Sequence, residues 1–136
     1  MPRRRGPSWD GPIVQVFLAV RDRQRRVAVL SLLKEPDLWM LPSENVWEGR
    51  DPAHVVEEIV PRWFVTPLEP KLAAILNFPP EDDDERWFLL PIYEAAKPAR
   101  LEATPDTHEV RFVAPGEAPP GRMFKDHAEV LARLGP

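Results

Sequence analysis

Residues 39–60 read WMLPSENVWEGRDPAHVVEEIV and carry most of the information about the fold. The segment begins within a short apolar strand, Leu38–Pro42, which a proline closes. Residues 43–49 show no hydrophobic period and are predicted to form a loop. Asp51 and Pro52 mark a helix start, because an aspartate side chain caps free N–H groups and proline fits the first helical position. The segment therefore predicts strand, loop and helix in succession.

The helix carries four apolar residues at helical spacing, which predicts one buried face: Val55, Val56, Ile59 and Val60. Pro61 is predicted to end or kink the helix, because proline cannot donate to the carbonyl four residues back. If the helix continues past Pro61, Trp63 falls on the same face as Val55 and Ile59.

Hydrophobic patterning predicts further elements on both sides of this segment. They are strands Ile13–Val20, Val27–Leu33, Lys71–Phe78, Arg86–Ala95 and His108–Val113, and a closing helix Phe124–Leu134. The first two strands flank a charged turn and are predicted to form an antiparallel hairpin. This order of elements predicts an α+β or α/β sandwich, with a mixed β-sheet flanked by helices.

Composition narrows the class of protein. The chain has 136 residues, and we expect a basic, disordered tail at 1–10 and a single domain at 11–136. It has no cysteine, which excludes disulfides and thiolate metal sites. A net charge of −4 argues against a nucleic-acid partner, and the apolar runs are too short for a membrane span. We expect a cytoplasmic protein, and its 18 prolines and excess of arginine over lysine favour a thermophilic source.

The segment 39–60 resembles the box of the Nudix hydrolase superfamily, which reads Trp-x-Leu-Pro-Gly-Gly-x-apolar-Glu-x-Gly-Glu before a glutamate-rich helix. The shared positions are Trp39, Leu41, Pro42, Val46, Gly49, Asp51, Pro52, Val55, Val56 and Val60. The strands around the box, the segment Glu109–Val113 and the final helix also match over most of the chain. The resemblance implies a Nudix-like α/β/α sandwich. In this family the glutamates of the helix bind a divalent metal, usually magnesium, at a pyrophosphate.

The glutamates that the family uses are replaced here. In the register set by Gly49, the metal-ligand positions are taken by Arg50, Ile59, Arg62 and Trp63, while Glu58 stands where the family has arginine. An apolar surface beside arginine cannot hold Mg²⁺, which requires oxygen ligands. The box is therefore degenerate, and no metal or cofactor is predicted.

The leading hypothesis is a non-catalytic ligand-binding or interaction module. Its candidate ligand-binding or interface residues are Trp47, Arg50, Ile59, Arg62 and Trp63. The resemblance implies a nucleotide-like small molecule as ligand, and the apolar helix surface predicts a homodimer. Trp47 is predicted to be an exposed stacking or contact residue.

The alternative is a hydrolase of a nucleoside-diphosphate-linked substrate. It would use Mg²⁺ or Mn²⁺ held by relocated carboxylates, with Glu57, Glu58 and Glu109 as the candidates. Such a site requires two or three carboxylates to converge, although Glu57 and Glu58 diverge by about 100° around a helix.

The remaining polar and aromatic residues are predicted to have structural roles. The acidic segment 81–85 is predicted to be a solvated hairpin tip. The three histidines, His54, His108 and His127, share no metal spacing and are predicted to be surface or cap residues. Trp39 and Trp87 are predicted to lie in the core.

Overall fold

The computed structural model describes residues 12–47, 49–79 and 87–136. The predicted tail at 1–10, the acidic segment 81–85 and Glu48 lie outside the described residues. The elements are β1 (Ile13–Arg21), β2 (Val27–Leu32), β3 (Glu35–Met40), β4 (Ser43–Val46), α1 (Pro52–Trp63), β5 (Lys71–Phe78), β6 (Phe88–Ala96), β7 (Thr107–Val113), β8 (Arg122–Met123) and α2 (Lys125–Arg133).

The strands form one mixed sheet that opens into two halves. One half has the order β5-β6-β1-β4, and the other has the order β7-β2-β3-β8. The halves are joined where β1 and β2 pair at Arg21 and Val27, beside the turn between them. The β1–β6 and β3–β8 pairs are parallel, and the remaining pairs are antiparallel.

A helix covers each face of the sheet. On one face α1 buries its apolar side against alternate residues of β1 and β2, including Val16, Leu18 and Leu30. On the other face α2 packs through Val130 and Leu131. Successive residues of a strand point to opposite faces, which is why β1 supplies both cores. The predicted α/β/α sandwich with a mixed sheet is confirmed.

The strand pairing of the first half differs from the sequence prediction. Residues 43–49 were expected to be a loop, but Ser43–Val46 is a strand that pairs with β1 from Phe17 to Val14. Its side chains are mostly polar and only half-buried, so backbone pairing holds this strand and the hydrophobic pattern does not show it. The predicted antiparallel pairing of β1 and β2 is confirmed beside their turn, at Arg21 and Val27, while β4 pairs with the earlier part of β1.

The remaining differences are smaller. The helix α1 continues through Pro61 to Trp63, and the short strand β8 was not predicted. Trp39 is buried as predicted, whereas the prediction for Trp87 is wrong, since its side chain is 49% exposed. Neither helix of the described ranges is long and apolar enough to cross a membrane.

Candidate functional site

The box helix starts as its sequence predicts. Asp51 is the N-cap residue, and its carboxylate accepts a hydrogen bond from Ala53 N–H at 2.9 Å. A tight turn precedes the cap, in which Arg50 N–H donates to Trp47 C=O at 2.9 Å. Gly49 in this turn has a φ of 86°, a left-handed conformation that glycine adopts without steric cost. The turn and cap together fix Trp47 and Arg50 at the helix N-terminus.

The inner face of α1 is fully packed. Ile59 is 0% exposed and belongs, with Val55 and Phe64, to the core under the helix. It therefore offers no surface to a ligand or to another subunit. At this position of the box the resemblance expects a metal-binding glutamate, and the structure places an aliphatic side chain in a dry core instead.

The outer surface of α1 carries two arginine–glutamate ion pairs. Arg50 Nη2 lies 2.7 Å from Glu58 Oε1, and Arg62 donates to the Glu44 carboxylate. In each pair one partner, Glu58 or Arg62, lies on the helix and the other lies in the segment before it. The two pairs therefore connect that segment to the helix. All four side chains are at least one-third exposed, so we expect each pair to contribute about 0–1 kcal/mol to stability. Their main effect is on metal binding, because a carboxylate that is paired with a guanidinium is not free to coordinate a metal ion.

This donor set does not fit the magnesium ion that the fold implies. A site for Mg²⁺ requires converging oxygen ligands, and here two of the nearby carboxylates are bound by arginine. Within residues 12–47, 49–79 and 87–136, no group of three or more aspartate, glutamate, histidine or cysteine side chains is placed to hold a metal.

The relocated carboxylate site is not assembled either. Val110 and Phe112 of β7 pack on the α1 side of the sheet, so Glu109 and Arg111 point to the α2 side. Consistent with this, the Arg111 guanidinium lies 5.2 Å from the centre of the Trp39 ring, which belongs to the α2-side core. Arg111 also binds Glu109 at 2.6 Å. Glu57 and Glu58 lie on α1, so the sheet separates them from Glu109.

The C-terminal end of α1 opens onto a cavity of about 410 Å³. Its lining combines apolar and charged side chains: Leu32, Leu33, Lys34, Arg62, Trp63, Thr104 and Asp106. The loop before β7 closes it, because Thr104 N–H donates to Trp63 C=O at 3.1 Å and Leu33 N–H donates to Asp106 C=O at 2.9 Å. The cavity is therefore built by the helix end, the β2–β3 turn and the loop at 104–106.

Of the five candidate residues, two line this cavity, while Ile59 is buried under the helix and the other two lie elsewhere. Arg62 and Trp63 line it, while Trp47 and Arg50 lie at the other end of the helix, about 18 Å away for twelve residues. The indole Nε1–H of Trp63 is buried and has no acceptor among the described residues. Sequence reasoning missed Thr104 and Asp106, because only the long-range pairing of the 101–104 segment with the end of α1 brings them there, and it missed Lys34, which the β2–β3 turn places at the cavity.

His127 is a buried residue, and its prediction as a surface or cap residue is wrong. Its side chain is 6% exposed, and its Nδ1 accepts the Leu41 N–H at 3.0 Å. The ring proton therefore sits on Nε2, which lies 3.5 Å from Ser43 Oγ. Burial holds the pKa of His127 below its usual value, against the opposing charge of Asp126. The neutral ring thus ties α2 to the β3–β4 connection at Leu41.

The fold matches solved structures that include Nudix proteins. The MutT Nudix hydrolase from Burkholderia pseudomallei matches with a TM-score of 0.62 and 18% identity, over 93% of this chain and 100% of that chain. The Nudix domain of Shewanella oneidensis NrtR, complexed with ADP-ribose, gives 0.61 and 13%, over 91% and 86%. DR0079 from Deinococcus radiodurans gives 0.66 and 16%, over 89% and 81%. The resemblance to the Nudix superfamily is therefore confirmed for the fold.

Sequence comparison adds nothing to this result. No protein-family model matches the chain, and no curated protein matches it.

Proposed function

Starting from a Nudix fold whose box helix presents arginine–glutamate pairs, we propose that this chain is a non-catalytic ligand-binding module. Its ligand is a nucleotide-like small molecule with a phosphate group. The observation that carries the proposal is the cavity at the end of α1, which Arg62, Trp63 and Lys34 line together. The ADP-ribose complex of the NrtR Nudix domain supports a ligand of this class.

The cavity has the chemistry that a phosphate-bearing ligand requires. Arginine forms paired hydrogen bonds with phosphate, and lysine adds a compact positive charge. Arg62 is held by Glu44, so a ligand phosphate would compete with that carboxylate for the guanidinium. A volume of about 410 Å³ is within the range of small-molecule sites.

The proposal predicts binding without turnover. Isothermal titration calorimetry with ADP-ribose should give the same affinity in Mg²⁺ and in EDTA. Arg62→Gln should weaken binding about tenfold or more, because a hydrogen bond to a charged group contributes about 1.5–3 kcal/mol. Arg26→Gln is the matched control, since Arg26 pairs with Asp22 in the β1–β2 turn and lies outside the cavity.

Product analysis completes the test. Incubation with ADP-ribose, nucleoside triphosphates and nucleotide sugars in Mn²⁺ should release neither phosphate nor nucleotide. EDTA-sensitive turnover would overturn the proposal in favour of a metal-dependent hydrolase. Equal ADP-ribose binding by Arg62→Gln and the wild type would overturn the assignment of the cavity.

Other predictions from the sequence belong to this proposal. Trp47 is 59% exposed beside the box helix and remains a predicted stacking or contact residue. Arg50 forms an ion pair with Glu58, and we propose that its role is to shape the surface of the box helix. The cytoplasmic location, the thermophilic source and the homodimer remain predictions.

A further inference from the structure

The cavity residue Arg62 also contacts a carboxylate that lies outside the cavity. It belongs to the last turn of α1, where its backbone C=O accepts a hydrogen bond from Thr104 Oγ1 at 3.3 Å. The Phe64 N–H donates to the Val60 C=O at 2.8 Å, so hydrogen bonds close the helix end around Arg62. The backbone of Arg62 is therefore fixed, whereas its side chain is 56% exposed and has room to reorient.

Glu44 reaches Arg62 from the strand before the helix. It belongs to β4 and pairs with Val16 of β1, whose side chain lies in the core under α1. Directly paired residues of neighbouring strands point to the same face of a sheet, so Glu44 also points to the α1 side. Its carboxylate accepts a hydrogen bond from Arg62 Nη1, and it is not among the residues that line the cavity. The sheet therefore presents a carboxylate to Arg62 from outside the ligand site.

This contact changes the charge that the cavity offers to an anion. Among the described residues, two cations line the cavity, Lys34 and Arg62, together with one carboxylate, Asp106. Glu44 adds a second negative charge in direct contact with Arg62. A carboxylate that contacts a guanidinium offsets its charge and repels another anion that approaches the same group. Lys34 and Arg62 therefore attract a phosphate less strongly than they would without Glu44.

We propose that Glu44 is an internal competitor for Arg62, a self-inhibitory contact that lowers the affinity of the cavity for its anionic ligand. The carboxylate offers the guanidinium the same kind of oxygen acceptor as a phosphate, so a ligand gains only the difference between the two contacts. The inference rests on the proposed function, because it requires the cavity to bind a phosphate-bearing ligand. Ligand binding and the β4–α1 contact then oppose each other, and each weakens the other by the same factor.

Isothermal titration calorimetry with ADP-ribose in a low-salt buffer tests the contact. Glu44→Gln removes the negative charge and keeps an oxygen that can accept from Arg62, so we expect it to lower the dissociation constant at least about twofold. The gain should shrink as the salt concentration rises, because salt screens exposed charges. Asp37→Asn is the matched control, since Asp37 forms an exposed ion pair with Arg122 and neither residue lines the cavity. It should leave the dissociation constant unchanged.

A double-mutant cycle shows whether the effect acts through Arg62. In the Arg62→Gln background, Glu44→Gln should lose most of its effect on the affinity for ADP-ribose, because the group that Glu44 occupies is gone. Urea denaturation verifies that each variant is folded, and the loss of an exposed ion pair should change the free energy of unfolding little.

The possible results separate this inference from the proposed function. If neither the wild type nor Glu44→Gln binds ADP-ribose, the proposed function is wrong and the inference falls with it. If both bind with equal affinity, the proposed ligand binding stands and the self-inhibition is wrong. Weaker binding by Glu44→Gln would overturn it as well, since Glu44 would then position Arg62 for the ligand. An equal gain from Asp37→Asn, or a full gain in the Arg62→Gln background, would reduce the effect to net charge and overturn the contact.

Discussion

Replacing His127 by phenylalanine should destabilise the protein and remove part of its pH dependence. The phenyl ring can occupy the same space, because the imidazole already contacts Phe17 edge-on with ring centres 5.0 Å apart. It cannot accept the Leu41 N–H, and Leu41 is 1% exposed, so this donor is left buried without a partner. An unsatisfied buried donor costs about 1–3 kcal/mol, which is the expected loss in the free energy of unfolding.

The pH dependence follows from the burial of the same ring, which lowers the pKa of His127. The folded pKa of His127 lies below the unfolded value of 6.5, so the unfolded state binds more protons in the interval between them. The stability that neutral His127 contributes is therefore fully present above about pH 6.5, and it falls as the pH drops toward the folded pKa of His127. Each unit of difference corresponds to about 1.4 kcal/mol. His127→Phe has no group to titrate here and should lose this slope.

Urea denaturation at pH 7.5 and pH 5.5 measures both effects. His54→Phe is the control, because His54 is exposed on α1 and should behave as the wild type. His127→Asn should recover part of the loss, since its amide oxygen can accept the Leu41 N–H. If His127→Phe loses less than about 0.5 kcal/mol and keeps the wild-type slope between the two pH values, the reasoning is refuted.

Three further changes test the packing of the site by urea denaturation. Ile59→Ala should cost about 2–5 kcal/mol, because the side chain is fully buried under α1; a loss below 1 kcal/mol would contradict this burial. Asp51→Ala should cost about 1 kcal/mol through the lost helix cap, and no loss would mean that the cap is dispensable. Gly121→Ala should cost about 1–3 kcal/mol, because an added methyl would lie 3.0 Å from the Trp39 indole. Gly135→Ala meets no neighbour and should be neutral.

Local signals made the box helix predictable. Asp51 and Pro52 specify its start without reference to the rest of the chain, and the spacing of its valines specifies its buried face. The fold class followed from these elements and from the resemblance of residues 39–60 to the Nudix box.

Long-range contacts account for what the sequence did not reveal. The polar strand β4 depends on pairing with β1, and no hydrophobic period marks it. His127 is buried only because Leu41, 86 positions away, supplies its donor. At the site, Arg62 and Trp63 were identified from the box, while Lys34 is brought to them by the β2–β3 turn.

The graded burial of the tryptophans gives the protein internal optical probes. Trp39 is 4% exposed and packs in the α2-side core, so its fluorescence should be blue-shifted and shielded from acrylamide. Trp47 is 59% exposed and should be readily quenched. Trp63 lies in the wall of the cavity, so a ligand there should change its emission directly. Single tryptophan-to-phenylalanine variants would therefore resolve core melting, loop exposure and cavity occupation as three separate signals in one titration.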